Sequence, residues 1–152
     1  MAAIRPVLRE WVECRHRAPN YHLTQMLTGH GCFGVYLCGV VKREPTADCH
    51  HCGTGEVDTA QHTREACPAW AEQRAAVSSV LGTDLSLPVM AAAMADREEV
   101  WKAVSSFSVE VMTLKEAAER ARKDAVDSLP IRRWRPGRRR RAHLVALDRA
   151  PP

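Results

Sequence analysis

The chain is short of aromatic residues, of long apolar runs and of any leader-like start. Phenylalanine, tryptophan and tyrosine together make up 5% of its 152 residues. Hydrophobic residues reach 45% and alanine is abundant, a balance that predicts a core built from helices rather than from sheets. The longest uncharged apolar stretch lies near 88–95, far short of the ~20 residues that a membrane-spanning helix needs. The start, Met1-Ala2-Ala3-Ile4-Arg5, carries neither the apolar run nor the small-residue cleavage site of a secretion signal, so a nuclear or cytoplasmic location is expected. Six cysteines in such a chain are expected to stay reduced, which favours a metal site over a disulfide framework. The length fits one ordinary domain or two small modules, not a large multidomain enzyme.

What charge there is lies unevenly. The formal net charge is +4. Residues 131–152 hold eight arginines against one acid, Asp148, for a net of +7. Residues 1–130 hold fourteen basic and seventeen acidic side chains, for a net of −3. A slightly acidic body with a strongly basic end suggests a folded part followed by a polyanion-binding or localisation tail.

Periodicity places the elements. Residues 4–17 fit a short amphipathic helix, with Val7, Leu8, Trp11 and Val12 on one side. Pro19-Asn20 signals a turn before a second short helix over 21–28. The apolar stretch 33–41 fits either a helix or a buried strand, and 42–48 reads as a connector. Asp58-Thr59-Ala60-Gln61 has capping-box spacing, which predicts a helix over 59–66 with Asp58 as its cap. Pro68 suits the first position of a helix that shows Trp70, Val77 and Leu81 at helical spacing and stops at Gly82. Residues 84–95 read as a loop holding at most one helical turn. Asp96-Arg97-Glu98-Glu99 opens the longest helix, with Val104, Phe107, Val111, Leu114, Ala118, Ala121 and Ala125 in a three-four alternation. It is expected to run to about Ser128, roughly 45 Å, and Leu129-Pro130 ends it. With three of its seven positions alanine, the stripe is expected to pack against the 68–81 helix rather than form a dimer seam, so the chain is expected to be a monomer.

Chemistry concentrates in Cys49, Cys52, His62 and Cys67, spaced C-x2-C-x9-H-x4-C. Three thiolates and an imidazole make a complete tetrahedral set for Zn²⁺, and a filled set leaves no position for water or substrate, so the expected zinc is structural. The Cys-x-x-Cys pair chelates through one tight turn, and Gly53 permits the close backbone approach. The competing reading is a group of reduced core cysteines beside a surface histidine. His50 and His51 lie inside the turn and are expected to point outward. Cys14, Cys32 and Cys38 fall outside the pattern and are expected to be packing residues.

Two motif blocks carry a resemblance. His22-Leu23-Thr24-Gln25-Met26-Leu27-Thr28-Gly29-His30-Gly31-Cys32-Phe33-Gly34-Val35-Tyr36-Leu37 resembles the segment that follows the polymerase thumb in reverse transcriptases of non-LTR retrotransposons. It is most similar to the jockey-related clade that includes elements inserting into ribosomal RNA genes. Ala47-Asp48-Cys49-His50-His51-Cys52-Gly53, Asp58-Thr59-Ala60-Gln61-His62 and Cys67-Pro68-Ala69-Trp70 resemble that family's C-terminal CCHC zinc knuckle. The helices and the arginine-rich end are similar too, so the resemblance covers nearly the whole chain. It implies that Cys49, Cys52, His62 and Cys67 hold zinc, and that the knuckle helps grip template RNA or target DNA during target-primed reverse transcription. The chain contains no adjacent Asp-Asp pair, so the two-metal polymerase centre is missing, and there is no room for the endonuclease's catalytic set. The resemblance therefore implies a non-catalytic C-terminal fragment.

The stretch from Ile131 to Arg141 mixes seven arginines with one tryptophan. Arg132, Arg133, Arg135, Arg138, Arg139, Arg140 and Arg141 suit phosphates through charge and forked hydrogen bonds, and Trp134 suits stacking on an unpaired base. A localisation signal or a solvated tail would look the same. An enzymatic alternative, a Cys–His hydrolase from Cys32 with His30 or His22, lacks an oriented base or an oxyanion site, and the elements of a zinc deaminase are absent. The expected architecture is a mainly α domain around one structural zinc, with a long helix and a disordered basic tail. Its parts are a post-thumb segment 1–44, the knuckle and following helix 45–82, the loop and long helix 83–130, and the tail 131–152. The expected partner is RNA or DNA, with no membrane and no small-molecule substrate. The alternative is a zinc-stabilised helical protein-interaction module without nucleic-acid binding.

Overall fold

The computed structural model describes residues 19–132. The helix expected over 4–17, Cys14 and the basic residues from Arg133 onward lie outside them. The described chain is mainly helical, and its only pairing of extended segments is an isolated antiparallel bridge, Asp48 to Val57. No described helix is long and apolar enough to cross a membrane.

Helix α1, Tyr21–Thr28, starts where the turn signal places it. Asn20 is its cap, accepting from the Leu23 amide at 2.8 Å, and Leu23, Met26 and Leu27 face the core. The ambiguous apolar stretch is helical: α2, Gly34–Tyr36, runs on into a π turn, Leu37–Val41. Helix α3, Ala60–Glu65, carries the central part of the metal-type cluster. A 3₁₀ turn, Pro68–Trp70, leads into α4, Ala71–Leu81, which Gly82 ends, with Trp70 and Val77 buried.

Residues expected as a loop form α5, Leu87–Asp96. Pro88 stands in its first turn, where a missing N–H costs nothing, and Met90, Ala91 and Met94 are buried. Its composition hid it, because an almost uniformly apolar and alanine-rich helix shows little amphipathic period. The long helix α6, Glu98–Asp124, follows at once. The expected capping box is not used: Asp96 closes α5, and Arg97 takes the cap position without a side-chain cap bond. Instead Glu98 and Glu99 in the first turn and Arg122 and Lys123 in the last suit the helix dipole. The helix stops short of Ser128, because Ala125 is already extended at φ −59°, ψ 146°.

Helix α6 is the spine on which α1, α4 and α5 pack, so the expected packing against the 68–81 helix is present. Its buried face departs from the expected stripe. Leu114 is 45% exposed and Lys115 is 0% exposed. At about 100° per residue, Lys115 lies within about 20° of Val104 around the axis, whereas Leu114 lies about 80° away. Ala121 and Ala125 are exposed beyond the end of the core. One buried cluster runs from Leu23 to Met112 and includes Cys49 and Cys67, so two of the metal-type ligands are part of the hydrophobic core and Cys52 packs against it.

Candidate metal centre

The hairpin 48–57 presents the first two cysteines. Its ends are joined by Cys49 N–H donating to the Glu56 carbonyl at 2.8 Å and by Asp58 N–H donating to the Ala47 carbonyl at 2.8 Å. Gly53, at φ +63°, supplies the left-handed turn directly after Cys52. The cap of α3 is Thr59, not Asp58. Its hydroxyl accepts from the His62 amide at 2.9 Å, so the residue that starts the helix also fixes the backbone of a ligand. Asp58 is displaced from capping because its carboxylate is engaged elsewhere: Oδ2 accepts from the Gly34 amide at 3.0 Å and Oδ1 from Lys115 Nζ at 2.7 Å. The His62 carbonyl in turn receives the Ala66 and Cys67 amides, at 3.0 and 2.7 Å, which turns the chain so that Cys67 faces back toward the hairpin.

The four ligand atoms all lie within 4.8 Å of one another, with Cys49 and Cys67 buried and Cys52 and His62 half-buried. Cys49 Sγ and Cys67 Sγ are 3.9 Å apart, and Cys52 Sγ and His62 Nε2 are 3.5 Å apart. A tetrahedral zinc with Zn–S of about 2.3 Å and Zn–N of about 2.0 Å sets edges of about 3.8 and 3.5 Å. The cluster therefore has the donor set and the spacing to hold a metal ion such as zinc.

Electrostatics inside the cluster are divided. A hydrogen bond from the Thr54 hydroxyl, at 3.0 Å, together with the Thr54 backbone, pulls the Cys52 thiol down to about 6. Burial, followed by the neighbouring Cys49, pushes the Cys67 thiol up to about 12. One ligand is thus ready as a thiolate at neutral pH, and another needs a cation before it gives up its proton. Arg74, on α4, donates to the Cys67 carbonyl and to the Thr63 carbonyl at 3.3 Å, tying the second pair of ligands to the helical core.

The two other histidines of the turn diverge. His50 is exposed as expected, with Nε2 3.6 Å from Glu44 Oε2. His51 turns inward, its ring centroid 4.9 Å from that of Trp70, and burial lowers its pKa to about 4. Neither belongs to the ligand group. Cys32 packs against the core, and burial raises its thiol to about 11, aided by Glu119 and Glu116; that is the reverse of the shift that activates a nucleophile. His22 sits 3.4 Å from Glu116, and His30 meets the edge of Tyr36 at 5.0 Å. Cys38 lies half-buried, 3.8 Å from the Pro45 carbonyl.

Of the expected nucleic-acid residues, Arg132 alone lies among the described ones. It sits in a 3₁₀ turn, Pro130–Arg132, and pairs with Glu44 at 2.8 Å. Arg133, Trp134, Arg135 and Arg138 to Arg141 lie outside. Sequence reasoning passed over Glu44, Arg74 and Lys115. Only Lys115 left a signal: counting at 3.6 residues per turn puts it in the apolar stripe. Compared with known proteins, the chain matches no family model, no curated protein and no solved structure.

Proposed function

We propose that the chain is a zinc-stabilised nucleic-acid-binding module, the non-catalytic C-terminal part of a reverse transcriptase of the non-LTR retrotransposon type that its motif blocks resemble. The zinc is structural, held by Cys49, Cys52, His62 and Cys67. The arginine-rich segment supplies most of the phosphate affinity, and template RNA or target DNA is the partner. The observation that carries this reading is the four-donor cluster, which gathers three thiols and an imidazole within 4.8 Å, with the Cys49–Cys67 and Cys52–His62 separations close to those of a zinc tetrahedron. Such a site leaves no position for substrate, so its contribution is shape, and binding falls to the surface and to the basic segment.

Titration of single-stranded RNA over a range of salt tests this reading. With all seven arginines of 132–141 on phosphates, the log–log slope approaches about −5. Deleting 133–152 should remove most of the affinity and flatten the slope. An affinity and slope unchanged by the deletion would overturn the role of the arginine-rich segment, and no RNA binding by the full chain would favour a helical protein-interaction module instead.

A further inference from the structure

Glu44 lies in the connector between the π turn and the metal hairpin, with its side chain only 2% exposed. Two arginines distant in sequence and one nearby histidine converge on it. Arg122 Nε, near the end of α6, is 3.2 Å from Oε1. Arg132 places Nε 2.9 Å and Nη2 2.8 Å from Oε2. His50 Nε2 approaches the same oxygen at 3.6 Å.

One buried carboxylate between two guanidinium groups leaves a local surplus of positive charge. A guanidinium carries five N–H donors, and Glu44 engages one of Arg122's and two of Arg132's. Both arginine side chains keep some exposure, 21% and 18%. The rotamer freedom that long arginine side chains lose on gripping a phosphate has here been lost on folding. The cluster also connects two places: His50 belongs to the Cys49–Cys52 turn, and Arg132 immediately precedes Arg133.

We propose that Arg122 and Arg132, held on one carboxylate by Glu44, form a phosphate-binding step that joins the arginine-rich segment to the metal hairpin, and that backbone phosphates of single-stranded nucleic acid occupy it. This rests on the nucleic-acid reading above. A strand held at Arg132 continues across Arg122, beside the His50 turn of the hairpin. Glu44 is a positioning residue in this arrangement and does not touch the ligand.

Two substitutions in the full chain test it, using a fluorescent single-stranded RNA and anisotropy over a range of salt. Arg122→Gln removes one phosphate contact, so the log–log slope should flatten by about 0.7, and binding at about 0.15 M salt should weaken about fourfold. Glu44→Gln raises the net charge by one, so charge counting alone gives tighter binding, whereas loss of the organised pair gives weaker binding by a similar factor. Arg122→Gln changes a partly exposed side chain near a helix end and keeps the test decisive if Glu44→Gln fails to fold. An Arg122→Gln slope equal to wild type, or a folded Glu44→Gln protein that binds as tightly or more tightly, would overturn the step. Absence of RNA binding in the wild type, or indifference to deletion of 133–152, overturns the nucleic-acid reading and the step together.

Discussion

Lys115 Nζ lies 2.7 Å from Asp58 Oδ1, and the two side chains are 0% and 5% exposed. The ammonium also stands 5.2 Å from the centroid of the Phe33 ring. This pair joins the long helix to the loop between the second and third metal-type ligands. Breaking one half of a buried pair strands the other charge and costs about 3–5 kcal/mol. Lys115→Met should therefore lower the urea midpoint sharply. The double variant Lys115→Met/Asp58→Asn should lose less than the sum of the single changes. A Lys115→Met midpoint equal to wild type would show that the pair is not holding the loop.

Metal analysis of the purified chain should find about one zinc per molecule, and Cys52→Ala should abolish it. Because burial raises the Cys67 thiol to about 12, zinc binding at neutral pH must displace its proton, and affinity must rise with pH. Calorimetry in two buffers of different ionisation heat measures that release directly. Chelation should also loosen 45–82 in amide exchange. A metal-free Cys52→Ala protein with wild-type exchange there would contradict a folding role for the metal.

Burial alone would raise the Glu44 carboxyl, but hydrogen bonds from Arg132 and Arg122, and their charges, outweigh it and hold it below its ordinary value of 4.5. A depressed carboxylate contributes stability above its unfolded-state pKa and loses it as pH falls through the folded-state value. The melting temperature should thus drop through the acid range, and Glu44→Gln should be less stable near neutrality with a flatter acid limb. Parallel acid limbs for the two proteins would refute the assignment.

Gly34 sits where the first segment crosses the metal hairpin. A Cβ there would lie 2.5 Å from the Ala47 carbonyl oxygen and 3.1 Å from Asp58 Cβ. Gly34→Ala should cost about 1–3 kcal/mol and weaken metal retention. Gly39, with nothing within 4 Å of its added Cβ, is the control and should accept alanine without loss. Equal thermal midpoints for the two variants would mean that the crossing is not tight.

The elements most legible in the sequence are those fixed by local chemistry. Asn20 and Gly82 mark helix ends through turn and cap preferences that need no partner. The ligand spacing of Cys49, Cys52, His62 and Cys67 depends on short chain segments, so the four donors could be named before any fold was known. Helix α5 was not legible, because its exposed side carries Pro88, Val89 and Ala92 instead of polar residues, so the buried Met90, Ala91 and Met94 leave little amphipathic period. The cap of α3 is ambiguous in the sequence for a related reason: Asp58 and Thr59 are both good caps, and only the buried Lys115 and the Gly34 amide decide which is free to act.

The amino-acid sequence alone determined the helical class, the donor set and the split between an acidic body and a basic end, since composition, spacing and charge are properties of the chain. The tertiary structure decided which face of α6 is buried, which residue caps α3 and which acid gathers Arg122 and Arg132. Each of these is a competition between partners far apart in sequence, such as Glu44 and Arg132, settled only when folding brings them within hydrogen-bond reach.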